Sequence, residues 1–132
     1  MEELNYNAKI AVVKLLDEIL NADKIVHEKE AKYLNEVIQQ FNLNDNYQAE
    51  MNGLMTLQAF AIIRELNKEL KGEIAKMMGR MIVVDEDINY NEVQLYNAFC
   101  ESCGIEKDFS VDDYSEYSLI CPFSNPEEML MA

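Results

Sequence analysis

Glycine and proline are scarce, at 4 and 2 residues in a chain of 132. That leaves little punctuation for many strands and turns. Histidine occurs once, as His27. A di-iron carboxylate bundle needs two Glu-x-x-His pairs and is excluded. Three cysteines cannot all pair within one chain, and the methionine-rich, disulfide-poor composition fits a reducing compartment, so cytoplasm is expected. Long apolar runs are missing too. The stretch Ile10 to Leu20 is broken by Lys14, Asp17 and Glu18, and Met77 to Val84 is short and contains Arg80. Neither can span a bilayer. The opening Met1-Glu2-Glu3 has the wrong charge for a signal peptide. Basic residues are few: Lys plus Arg number 11 against 25 Asp plus Glu, for a net charge of −14. Phosphate backbones and anionic membranes repel such a chain, so no nucleic acid and no membrane insertion is expected. Cations and basic protein surfaces are better suited. There is no phosphate loop or Gly-rich motif, and Ser102, Ser110, Ser115, Ser118 and Ser124 have no His partner nearby. A non-enzyme is expected.

What the chain does have is helix-forming residues. Leu, Met, Ala, Glu and Lys are common, and all favour helix. Residues 8–21 carry Ile10, Val12, Val13, Leu15, Leu16, Ile19 and Leu20 near the helical period. Residues 27–42 carry Ala31, Leu34, Val37, Ile38 and Phe41 on one face. The run Asn42 to Asn46 reads as a turn, and a short helix over 46–53 follows. Thr56 is the expected N-cap of a helix over 57–67 that carries Leu57, Phe60, Ala61, Ile63 and Arg64. A helix over 69–84 has Ile74, Met77, Met78, Met81 and Ile82 as its core stripe. The last clear helix, 90–103, turns Val93, Tyr96, Phe99, Cys100 and Cys103 inward and closes on a left-handed Gly104. The expected fold is all-α, a bundle of about five to seven helices over residues 1–107. An acidic tail over 108–132, holding Pro122 and Pro126, is expected to be partly irregular, with one short helix near 112–119.

Two segments read alike. Asp23-Lys24-Ile25-Val26-His27-Glu28-Lys29-Glu30 and Asp85-Glu86-Asp87-Ile88-Asn89-Tyr90-Asn91-Glu92 are both Asp-x-x-(Val/Ile)-x-x-x-Glu, offset by 62 residues. The same offset pairs Lys14 with Lys76, Leu16 with Met78, Ile19 with Met81, Leu20 with Ile82, Asn35 with Asn97, Val37 with Phe99 and Leu43 with Ile105. Two repeats are too few for a solenoid but fit a closed bundle of two pseudo-symmetric helix–turn–helix units. A helix, an Asp, an aliphatic residue and a Glu opening the next helix, all occurring twice, resembles the TerB-like (tellurite-resistance) family over about residues 8–105. Ala22-Asp23 and Val84-Asp85 match the start of the family pattern, whereas its usual Gly after Asp is Lys24 or Glu86 here. The resemblance implies a bacterial stress-response module with an acidic, metal-associated surface, acting in protein complexes.

The repeated acids have two readings. As architecture, Asn89-x-x-Glu92 is a capping box, and His27 with Glu30 is its weaker counterpart. Both glutamates then sit at the positive end of a helix. Asp23 and Asp85, at helix C-terminal ends, oppose the dipole and require compensation from turn N–H groups or from a cation. As a metal site, Asp23, Glu30, Asp85 and Glu92 offer the oxygen ligands that Ca²⁺ or Mg²⁺ prefers, should the two turns share one end of the bundle. An EF-hand is not expected, because Tyr90 stands where its Gly belongs and Tyr96 where its bidentate Glu belongs. Cys100-x-x-Cys103 lies at a helix C-terminus, where the dipole does not activate a thiol, so both read as core. The alternative to an ion-associated module is a plain interaction or structural domain with no ligand. In either reading the expected partners are proteins.

Overall fold

The computed structural model describes residues 4–22, 28–84 and 90–105. Six helices run in order: α1 Tyr6–Leu20, α2 Glu28–Phe41, α3 Tyr47–Gly53, α4 Thr56–Arg64, α5 Lys68–Val83 and α6 Tyr90–Ser102. No strand occurs among the described residues. The all-α bundle follows the expected helix order, and no described helix is long and apolar enough to cross a membrane.

Helix α1 is the centre of the molecule and packs against each of the other five helices. Its apolar residues exceed a single stripe, and so it is buried on most sides. Leu15, Leu16 and Ile19 are fully enclosed. Each such side chain contributes about 1.5–3 kcal/mol of burial. Helix α5 supplies the opposing stripe of Ile74, Met78, Met81 and Ile82, with Met77 at its margin. The methionines therefore fill the core.

The duplication extends to backbone detail. Helices α1 and α5 begin 62 residues apart, at Tyr6 and Lys68, and so do α2 and α6, at Glu28 and Tyr90. Their caps correspond as well. Asn5 (φ −72°, ψ 169°) accepts from the Ala8 N–H, and Asn67 (φ −73°, ψ 168°) accepts from the Leu70 N–H, both at 2.8 Å. An Asn oxygen here occupies the N-cap role that helix starts require. At the other end of each unit, Asn42 (φ 54°) and Gly104 (φ 68°) are both left-handed. Around Gly104 the Ile105 N–H donates to the Cys100 carbonyl at 2.8 Å, and the Gly104 N–H to the Glu101 carbonyl at 3.2 Å, which is a Schellman ending. A β-carbon on Gly104 would meet Arg64 Cγ at an ordinary 3.8 Å, so only backbone strain opposes a side chain there. Gly104→Ala is accordingly expected to cost about 1–2 kcal/mol in urea denaturation, while Asn42→Gly costs nothing or stabilises slightly.

Helix α4 departs from expectation. Its N-cap is Met55, and Thr56 is already helical. The Thr56 hydroxyl instead donates to Glu18 Oε1 at 2.6 Å, fastening α4 to α1, and Gln58 Oε1 accepts the Met55 N–H at 2.8 Å. Ala59 and Ile63 are the buried face, whereas Leu57 is 73% exposed. The helix ends at Arg64, and Asn67 begins the next cap.

Candidate acidic site at the starts of α2 and α6

Helices α2 and α6 both follow a partner in the core, α1 or α5, across a five-residue segment that lies outside the described residues, 23–27 and 85–89. With the helices beginning at Glu28 and Tyr90, Glu30 and Glu92 are the third helical residue of each. That is the position from which a capping-box glutamate reaches back toward the chain's entry. The cap residues of those boxes, His27 and Asn89, lie outside the described residues.

Glu30 and Glu92 are both 0% exposed, and among the described residues they are the two buried charged or polar side chains. Neither is isolated, since each takes part in interactions beyond its own burial. Withdrawing a carboxylate from water costs several kcal/mol unless hydrogen bonds or positive charge replace the lost hydration. The helix N-terminus offsets about 0.3–1 kcal/mol of this, and up to about 2 in a partly buried setting. The first turn of α2 also contains Glu28, of the same sign. The molecule thus places one deeply buried acid at the same point of each repeat, where hydrogen-bond donors, a proton or a cation compensate it. Among the described residues no three His, Cys, Asp or Glu side chains gather to hold a metal ion. Asp23 and Asp85, the other two members of the expected set, lie outside the described residues.

Elsewhere the polar contacts serve architecture. Lys9 Nζ donates to the Phe41 carbonyl at 3.3 Å and lies 5.8 Å from the Phe41 ring centre, placing a cation at the negative end of α2. Lys71, its counterpart 62 residues on, has its Nζ 3.8 Å from where a Gly104 β-carbon would stand, at the end of α6. The Tyr6 hydroxyl donates to Glu50 Oε1 at 2.5 Å and accepts from the Asn44 N–H at 3.3 Å, so α1 holds the α2–α3 turn. Cys100 and Cys103 are buried thiols. Burial, with Cys100 alongside, pushes the Cys103 thiol up to about 12 against the opposing charges of Arg64 and Lys71. A thiol held protonated is no nucleophile, and the pair is core packing.

Asp17 supplies a pH prediction. Burial raises its pKa, opposed by Lys14 and by hydrogen bonding with Asn21. A raised carboxyl binds its proton more tightly folded than unfolded, so its charge is a liability above the folded pKa and none below the unfolded one. Asp17→Asn should therefore raise the melting temperature at pH 7, with the gain shrinking as pH falls through the raised pKa and disappearing below the ordinary carboxylate range.

No family model matches the chain, and no curated protein matches it significantly. Among solved structures, a protein of unknown function from Porphyromonas gingivalis is similar, with a TM-score of 0.71 and 22% identity over 84% of this chain and 86% of that one. The likeness is one of fold.

Proposed function

We propose that this chain is a non-catalytic, TerB-like helical module of the cytoplasm that holds a divalent cation with Asp23, Glu30, Asp85 and Glu92 and acts in stress-response protein complexes. The observation that carries the reading is the full burial of Glu30 and Glu92 at repeat-equivalent positions. Capping alone asks for a glutamate at the helix start, but not for one sealed from water in both copies. Each is preceded, seven residues earlier in the sequence, by an Asp, Asp23 or Asp85. Carboxylate oxygens of this kind suit Ca²⁺ or Mg²⁺, and a bound cation neutralises several of the acids at once. A net charge of −14 draws cations to the molecule.

Melting the full chain against Ca²⁺, Mg²⁺ and Mn²⁺ tests the reading. A ligand that binds only the folded state stabilises by about 2.7 kcal/mol at about 100 times its Kd, a rise of about 10 °C for a chain of this size. Asp23→Asn with Asp85→Asn should abolish the rise. An unchanged melting temperature at millimolar ion would favour a ligand-free interaction domain.

A further inference from the structure

Helix α4 buries Ala59 and Ile63 in the core, half-buries Phe60 and Ile62 against it, and carries further apolar residues outward. It packs on α1. Leu57, Phe60, Ala61 and Arg64 follow the i, i+3, i+4, i+7 spacing of a second stripe, and with Glu65 and Ser102 they line an open groove of about 440 Å³. Among its lining residues is Phe60, whose ring centre is 5.4 Å from that of Phe99 on α6. Among the described residues the two large hydrophobics left exposed, Met55 at 64% and Leu57 at 73%, both belong to the start of this helix. Such a patch marks a binding surface.

We infer that the occupant is the chain's own C-terminal segment, residues 106–123, lying back across α4. Three observations select it. Ser102 lines the groove and the described chain ends three residues later, so the segment departs from the groove's edge. Arg64 and Lys71 flank Gly104, the residue from which it departs, while the segment begins with Glu106 and Asp108 and continues with Asp112, Asp113 and Glu116 against one cation, Lys107. Finally, Phe109, Val111, Tyr114, Tyr117, Leu119 and Ile120 supply the apolar side chains that the groove leaves unmatched. At about 3.3 Å per extended residue, four residues beyond Ile105 already reach past one helical turn of α4. Glu65 is the one acid among the groove's lining residues.

The test keeps the full chain. Cys100 and Cys103 are buried, so a thiol-directed spin label reports from Cys121. The amide signals of Leu57, Phe60 and Ala61 should lose intensity in the labelled chain, equally at high and low protein concentration. Leu57→Asp, at an exposed position, should restore them, and Arg64→Glu should restore them in part. A second label, at Ser115→Cys with Cys121→Ser, guards against a probe that itself prevents docking. Undiminished α4 signals with both labels would overturn the inference. So would intensity loss seen only between separate labelled and isotope-enriched chains, which would assign the groove to a second copy.

Discussion

Leu16→Ala and Met78→Ala are each expected to destabilise the fold by about 2–5 kcal/mol, measured by urea denaturation of the full chain. The two residues occupy the same position of the two repeats, on α1 and α5, and both are fully enclosed. Truncation removes the transfer energy of the lost carbons and leaves a cavity. The loss at Leu16 should be the greater. Helix α1 is held by all five other helices, so it cannot shift to close the void, while α5 packs chiefly on α1, α2 and α6. Met78→Leu should cost less than about 1.5 kcal/mol, because it keeps volume and polarity. A loss below about 1 kcal/mol at Leu16 would mean that α1 is not the central support.

Exchanging the buried acids for amides gives the second large effect, and it separates the two roles of Glu30 and Glu92. A capping box accepts Gln as well as Glu, so Glu30→Gln with Glu92→Gln preserves the cap. It also removes two buried negative charges, each costly to desolvate. In the presence of chelator the double variant should melt within a few degrees of the unaltered chain, or above it. With saturating Ca²⁺ or Mn²⁺ it should lack the rise of about 10 °C expected of the unaltered chain. An equal rise in both proteins would remove the glutamates from the ion's coordination. A collapse of the fold in chelator would show instead that the negative charges themselves are structural.

Helix order and the duplication were legible because a 62-residue offset aligned apolar with apolar, and periodicity depends on local spacing alone. The left-handed Gly104 was legible for the same reason: few residues other than Gly end a helix that way. Its counterpart Asn42 stands in a run of turn-forming residues that does not single it out. Helix α4 differs from its local sequence pattern in two respects. Thr56 is a good cap by residue type, but its hydroxyl goes to Glu18, 38 positions away in sequence, and no local rule anticipates that. By pattern Leu57 and Ala61 group with Ile63, because a nine-residue helix with apolar residues all round does not say which face meets α1. The depth of Glu30 and Glu92 was hidden as well. Their spacing indicated a cap, and a cap is usually at the surface; burial depends on what α2 and α6 lie against. Asp23 and Asp85, with the expected short helix near 112–119 and the tail that carries it, lie outside the described residues.

The most direct measurement is the fraction of free Mn²⁺, read from its paramagnetic resonance signal as the ion is titrated into the full chain. Four carboxylates sharing one ion predict that about one equivalent of the signal is lost before free Mn²⁺ rises, that Ca²⁺ or Mg²⁺ in excess restores it, and that Glu30→Gln with Glu92→Gln prevents the loss. A free-ion signal that grows from the first addition in proportion to the Mn²⁺ supplied would contradict the account.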